Sequence, residues 1–249
     1  MNIVLLLAGG VGSRMGTEVP KQFLEVGGKP IVMHTLLRLE RAPMIDRVVC
    51  VCIDGWMKKL HSWAEEAGIA KLTAIVPGGG TRYESTRRGM DSLEAADDDV
   101  IVVHDAVRPI VSDESLGSVV SVAAGYGNSM AVLDCLDTMY ERTGNPGEVA
   151  PGDGAPGSGE AESLGYTSQV MERERLVAGQ TPEAVTGRRM REMYERADAR
   201  GVQMDSISAL QNALGWPIHF ARGDRFNIKL TRPEDIAIFK AWLLLQNRE

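Results

Sequence analysis

The stretch IVLLLAGGVGSRMGTEVPKQF, residues 3–23, decides the fold. Ile3 to Leu7 is a short, apolar, β-friendly run, the pattern of a buried strand. It breaks off at Ala8-Gly9-Gly10-Val11-Gly12. Glycine lets a backbone turn tightly and brings its N–H groups close to an anion. Arg14 and Lys21 add fixed positive charge: arginine grips phosphate bidentately, and lysine serves as a mobile point charge. The ligand this loop predicts is a triphosphate. Two common glycine loops are excluded. A dinucleotide fingerprint needs a third glycine where Met15 stands, and a Walker A loop needs a Gly-Lys-Ser/Thr that is absent.

Working outward, strand and helix patterns alternate. Pro30 can open a helix running to about Ala42. Arg47–Ile53 is a second strand, and Gly55–Ala67 has helical spacing with Trp56, Leu60 and Trp63 on one face. Leu72–Val76 is a short strand before the turn Pro77-Gly78-Gly79-Gly80, and Thr81–Leu93 reads as a helix. Val100–Val103 is a β-branched strand. Ser112 can cap the helix that follows, with Ser115 in place of the usual capping-box Glu. Met130–Leu133 is another strand. This βαβα order predicts an α/β fold: a mostly parallel sheet with helices on both faces and ligands at the carboxyl ends of the strands. The glycine loop and His104-Asp105-Ala106-Val107-Arg108-Pro109 both lie at such ends.

Residues 144–165, GNPGEVAPGDGAPGSGEAESLG, differ in kind: rich in Gly and Pro, acidic, without aromatics or periodicity. They read as a flexible insertion. The flanks, 137–141 and 166–170, look like strands, so residues 137–172 are expected to form a protruding β-arm on a single domain spanning 1–249. Beyond it come a helix at Gly187–Ala199, the segment Met204-Asp205-Ser206, another helix, and a strand at Pro217–Ala221. Thr231-Arg232-Pro233-Glu234, a capping-box pattern, opens a terminal helix with Ile236, Phe239, Trp242 and Leu243 inward.

The 249 residues carry a net charge of -7, which argues against a nucleic-acid coat but not against a small anionic substrate. Hydrophobic residues make up 44%, enough for a full core. Cys50 and Cys52 alternate within a strand pattern and, with Cys135, read as reduced thiols. No apolar run approaches a membrane span and no leader is evident, so a cytoplasmic protein without membrane contact is expected.

Chemistry is read from few residues. Asp105, where a strand ends, suits a Mg²⁺ ligand that shares the ion with substrate phosphates, though a lone aspartate there is also a common turn former. Arg108 could hold a second anion. Lys229 alone reads as a surface charge, and Arg173 and Arg175 as a solvated face. No Ser-His-Asp order emerges. One reaction class fits that lack: attack of a substrate phosphate on the α-phosphorus of a nucleotide needs cations and N–H donors rather than a base.

Together, Ala8-Gly9-Gly10-Val11-Gly12-Ser13-Arg14-Met15, Pro20-Lys21-Gln22-Phe23, His104 to Pro109, Asp137-Thr138, Gln180-Thr181-Pro182 and Asn227-Ile228-Lys229-Leu230-Thr231-Arg232-Pro233-Glu234-Asp235 resemble the cytidylyltransferases acting on 2-C-methyl-D-erythritol 4-phosphate and on ribitol 5-phosphate. The matches run in family order over nearly the whole chain. The resemblance implies a Rossmann-like nucleotidyltransferase fold, CTP as substrate, Mg²⁺ as cofactor and release of pyrophosphate. It assigns Arg14, Lys21 and Lys229 to catalysis. It assigns Ala8, Gly9, Gly10, Gly12, Gly79, Gly80, Ser85, Asp105 and Ala106 to the nucleotide, with Asp105 also on the metal. Arg108, Thr138, Arg173 and Asp205 match acceptor positions. It further implies a homodimer in which the arm carries Thr138 and Arg173 to the neighbour's site.

Departures gather at the acceptor side. Tyr140 stands where the methylerythritol enzymes usually have Lys, and Met204-Asp205-Ser206-Ile207-Ser208 replaces Thr-Asp-Glu/Asp-Ala-Ser. Gly80 replaces an acidic residue, and the arm carries the long insertion. Methylerythritol phosphate, a precursor of isoprenoids, is the leading acceptor; ribitol phosphate, for cell-surface polymers, is the alternative. A non-catalytic nucleotide-binding homologue is the rival of another class. A nicotinamide-dependent oxidoreductase lacks its fingerprint.

Overall fold

The computed structural model describes residues 1–10, 19–145, 148, 150 and 163–246. Its centre is a seven-stranded sheet. The strands are β1 (Asn2–Ala8), β4 (Arg47–Cys52), β5 (Leu72–Pro77), β6 (Val100–Asp105), β7 (Asn128–Asp134), β8 (Val177–Thr186) and β9 (Phe220–Arg222), in the order β5-β4-β1-β6-β8-β7-β9. A small antiparallel hairpin, β2 (Glu25–Val26) and β3 (Lys29–Pro30), turns at Gly27-Gly28. Pairing is parallel for β1/β4, β1/β6, β4/β5 and β7/β9, and antiparallel for β6/β8.

Alternation along the strands builds two cores. Val4, Leu6, Val48, Cys50, Val100 and Val102 face one way, onto α1 (Ile31–Arg41), α2 (Met57–Glu66) and α4 (Asp113–Tyr126). Ile3, Leu5, Val49, Val51, Ile101 and Val103 face the other, onto α3 (Arg82–Asp91), α5 (Gly187–Arg200) and α6 (Ile207–Ala213). Successive side chains of a strand point to opposite faces, so these unbroken apolar runs bury both faces, as a central parallel sheet requires. Gly89 lets α3 close onto the sheet, since a Cβ there would lie 2.4 Å from Leu5 Cδ1. A third cluster, with Val26, Ile31, Val107, Leu230 and Phe239, seats the last helix, α7 (Pro233–Gln246). Full burial of Phe239 contributes about 1.5–3 kcal/mol.

The helices begin as the sequence indicates, with one difference. Ser112 accepts from the Ser115 N–H at 3.2 Å. Before α7, however, the Asp235 carboxylate accepts from the N–H groups of Thr231 and Arg232, at 2.7 and 2.8 Å, and from the Thr231 hydroxyl. Asp235 therefore closes the turn that the capping-box pattern assigned to Thr231 and Glu234. Two further expectations change. The strand expected at Pro217–Ala221 is Phe220–Arg222, limited to the register with Met130–Val132. Strand β8 was not expected at all.

The chain divides into two compact units, Met1–Val132 with Gly179–Glu249, and Leu133–Ala178. In the second, among the described residues, the flanks expected as strands form one antiparallel bridge, Tyr140 to Val170, and the Tyr166 carbonyl accepts from the Thr143 N–H at 2.9 Å. A short 3-10 turn follows at Arg173–Arg175. Most of the insertion, residues 146, 147, 149 and 151–162, lies outside the described residues. Cys50 and Cys52 are buried free thiols, and Cys135 is free and half-buried. Among the described residues no helix is long and apolar enough to cross a membrane.

Candidate active site

The carboxyl ends of β1, β5 and β6 open into a cavity of about 370 Å³. Ala8, Gly9 and Gly10 line it from the end of β1, Gly79, Gly80 and Ser85 from the turn after β5, Asp105 from β6, and Lys21 and Lys229 from two loops. Nine of the residues singled out in the sequence therefore meet in one place. Arg14 and Gly12 lie outside the described residues.

Local chemistry fixes these loops. The buried Gln22 donates its side-chain amide to the carbonyls of Ala8 and Gly10, at 2.8 and 2.9 Å, and so holds the start of the glycine loop. Pro20 precedes a 3-10 turn over Lys21–Phe23, and Phe23 stacks on Trp56 with ring centroids 4.2 Å apart. Lys21 is thus carried by a turn anchored on both sides. At the second glycine turn the Ser85 hydroxyl accepts from the Gly79 N–H at 2.9 Å, and the Glu84 carboxylate accepts from the Gly80 N–H at 2.7 Å. Gly79 has to be glycine, because a Cβ there would lie 2.3 Å from that of Glu84. Thr81 caps α3, accepting from the Glu84 N–H at 3.0 Å, and Thr81 and Arg82 bring the helix N-terminus to the cavity wall. Its unpaired N–H groups and dipole favour an anion.

Asp105 is the centre of charge. Only 4% of it is exposed. Arg82 Nη1 donates to Oδ1 at 2.6 Å, Lys229 Nζ lies 2.9 Å from Oδ2, and Arg108 Nε lies 3.6 Å from Oδ2. Burial opposes its ionisation, but Arg82, Lys229 and Arg108 together hold the carboxyl well below the usual carboxylate range. Its backbone N–H reaches the Thr181 hydroxyl at 3.2 Å. Behind it, Asn227 ties Thr181 to the loop of Lys229: its amide donates to the Thr181 carbonyl at 2.7 Å, while its own carbonyl accepts from Arg108 Nη1 at 2.6 Å. Among the described residues, the cavity wall carries Lys21, Arg82 and Lys229 against Asp105 alone. A chain of net charge -7 has a positive cavity at this strand end.

The remaining candidates lie apart from the wall. Ala106 is fully buried, its N–H bonded to Leu7 and its carbonyl to the Thr35 hydroxyl. Arg108 is behind Asp105. The Asp205 carbonyl accepts from Arg82 Nε at 2.7 Å, just outside the wall. Thr138 and Arg173 belong to the other unit, where Thr138 is exposed and Arg173 donates to the Leu136 carbonyl at 2.9 Å. Two contributors escaped the sequence reading. Arg82 carried no signal beyond its place behind the glycine turn. Gln22 was legible only as part of Pro20-Lys21-Gln22-Phe23.

Comparison with known proteins bears on this site. The profile described as IspD, 2-C-methyl-D-erythritol 4-phosphate cytidylyltransferase, matches residues 2–152 and 159–245. A ribitol-5-phosphate cytidylyltransferase of Lacticaseibacillus paracasei is 33% identical, over 98% of either chain. A 2-C-methyl-D-erythritol 4-phosphate cytidylyltransferase of Syntrophus aciditrophicus is 31% identical, over 97% of this chain and 95% of its own. The crystal structure of 4-diphosphocytidyl-2C-methyl-D-erythritol synthase from Anaerococcus prevotii superimposes with a TM-score of 0.76 at 22% identity, over 97% of both chains. The corresponding cytidylyltransferase of Thermus thermophilus gives 0.70 at 26% identity, over 97% of this chain and 98% of that one.

Proposed function

Because the chain belongs to the 2-C-methyl-D-erythritol 4-phosphate cytidylyltransferase (IspD) family, and is thus a nucleotidyltransferase, we propose that it joins CMP from CTP to the phosphate of a polyol phosphate in the cavity at the ends of β1 and β6. The observation that carries this reading is the convergence of Lys21, Arg82 and Lys229 on that cavity, around one ionised and almost buried carboxylate.

The acceptor phosphate oxygen attacks the α-phosphorus of CTP. The new P–O bond forms as the bond to the bridging α–β oxygen breaks, and pyrophosphate leaves with that electron pair. The nucleophile is already an anion, so no residue has to remove a proton. What the protein supplies is position and positive charge in a partly enclosed site. Lys21 and Lys229 stand at the wall to bind the triphosphate and balance the charge that builds on the leaving group, with Arg14 in the same role from the glycine loop. The first glycine loop and Ser85 would hold the nucleotide, while Gly79 and Gly80, whose N–H groups are taken by Ser85 and Glu84, would shape the wall against it. Ala106, fully buried with its N–H and carbonyl taken by Leu7 and Thr35, would serve the nucleotide only by fixing the chain after Asp105.

Asp105 fits a Mg²⁺ site: it is ionised, it offers hard oxygen, and its two oxygens have lone pairs beyond those taken by Arg82 and Lys229. One carboxylate with substrate phosphates and water is an ordinary ligand set for this ion. Bound there, Mg²⁺ would spread the charge of the departing pyrophosphate.

For the acceptor, Asp205 and Arg108 would act from the nucleotide unit. Thr138 and Arg173 would act from the unit Leu133–Ala178 of a second copy in a homodimer, a cytoplasmic enzyme of twice the 27.0 kDa chain mass. 2-C-methyl-D-erythritol 4-phosphate is the first reading, supported by the family profile and by Thr231-Arg232-Pro233-Glu234-Asp235. That would place the enzyme in isoprenoid precursor synthesis. Ribitol 5-phosphate is the second, favoured by the relative at 33% identity and by Gly179-Gln180-Thr181-Pro182. The test is pyrophosphate release from CTP and Mg²⁺ with each acceptor, the CDP-polyol identified by mass. Turnover with the first supports the first reading. Turnover only with the second replaces it. CTP binding without turnover of either contradicts both.

A further inference from the structure

Arg82 makes a second bond that the mechanism above does not require. Its Nη1 donates to Asp105 Oδ1 at 2.6 Å, while its Nε donates to the backbone carbonyl of Asp205 at 2.7 Å. Asp105 ends β6 on the nucleotide side of the site. Asp205 lies in the segment between α5 and α6 that the proposed function gives to the acceptor. One guanidinium therefore ties the two sides together across the start of α3.

The setting makes this tie rigid. The Arg82 carbonyl is held by the buried Thr86 hydroxyl at 2.9 Å, and Thr81 fixes the first turn of the helix. On the far side, Ser206 caps α6 by accepting from the Ala209 N–H at 3.0 Å. The buried Glu183 carboxylate accepts from the Ser208 N–H at 2.9 Å. The segment 204–206 is thus anchored after Asp205 by the start of α6. At Asp205 itself, the one hydrogen bond from a distant element among the described residues is that of Arg82. A planar fork can serve two acceptors at fixed angles, whereas a lysine ammonium offers one point charge.

We propose that Arg82 is a positioning residue that sets the acceptor-side segment 204–206 relative to Asp105, so that the acceptor phosphate is held in line with the nucleotide. This rests on the cytidylyltransferase reading for the role of Asp205. It does not require Arg82 to touch either substrate.

The test uses the full chain with Arg82→Lys, which keeps a charge for Asp105 but cannot keep both bonds. Hydrogen exchange without substrate is expected to be at least about threefold faster at the amides of 204–208 and unchanged in the middle of α5. Unchanged exchange at 204–208 overturns the proposal. In steady state, the KM for whichever polyol phosphate the wild type turns over should rise at least about tenfold, with the KM for CTP within about threefold. An equal or larger rise in the KM for CTP overturns the proposal, because Arg82 would then be a triphosphate contact. A wild-type enzyme silent with both acceptors counts against the acceptor reading, and the exchange result alone then decides the case of Arg82.

Discussion

The two units of this chain use charge in opposite ways. At the end of β6, Asp105 is paired with Arg82 and Lys229, residues far apart in sequence that the sheet brings to one buried point. Among the described residues of the unit Leu133–Ala178, the ion pairs join near neighbours, Arg173 with Glu174 and Arg175 with Glu172, all at least half exposed. Large apolar side chains are exposed there too, Leu164 at 75% and Val170 at 59%. Surface pairs of that kind contribute about 0–1 kcal/mol, whereas a buried carboxylate left without its cations, or the reverse, costs several. The nucleotide end is built by the fold itself.

Three substitutions and one deletion sharpen or break this contrast. The largest effect is expected from Asp105→Asn, which leaves Arg82, Lys229 and Arg108 around a neutral amide. Loss of the partner should cost about 3–5 kcal/mol, seen as a fall in Tm of roughly 10 °C, and turnover should vanish. A variant as stable as the wild type would mean that the cluster does not support the fold. Next, Lys21→Ala should lower kcat/KM by about 10²–10³ while Tm stays the same. Turnover above about a tenth of wild type would remove Lys21 from the charge balance.

A pH effect of similar size follows from His104. It is fully buried, donates Nε2–H to the Arg108 carbonyl at 3.1 Å, and is brought down to a pKa of about 4, chiefly by burial. The unfolded chain takes up this proton near pH 6.5, and the folded one resists it until about 4. The stability owed to neutral His104 is complete above that window and is lost as the pH falls through it, by roughly 3 kcal/mol. Melting curves of wild type and His104→Gln from pH 7.5 to 4.5 should converge towards the acid end. Parallel curves would refute the assignment. The smallest effect is expected in the other unit. Deleting residues 151–162, a Gly/Pro-rich acidic stretch, should leave Tm unchanged and the KM for CTP within about twofold of wild type. A larger loss of CTP affinity would show that the two units are not independent for the nucleotide.

Much of this was legible because it is local. The apolar runs at Ile3–Leu7 and Arg47–Ile53 marked two of the central strands, and the two glycine turns marked the strand ends where a ligand binds. Strand β8 was hidden because Gly179, Pro182 and Glu183 are poor strand formers. Its pairing with β6, which buries Ala184 and Val185, outweighs them. The flanks at 137–141 and 166–170 carried strand-like composition, but among the described residues they join no sheet and pair at one bridge. Arg82 was invisible for a related reason. In sequence it is an ordinary first-turn residue, and both of its acceptors come from other elements of the sheet and its connections.

The central claim is that the cations at the ends of β1 and β6 form a triphosphate site. Calorimetric titration of CTP, without acceptor, into wild type and into a Lys21→Ala/Lys229→Ala double variant shown by melting to be folded at the titration temperature tests it most directly. The expected result is saturable binding by the wild type and a loss of at least about a hundredfold in the variant, near 3 kcal/mol. Equal affinities would contradict the claim and move the nucleotide away from this cavity.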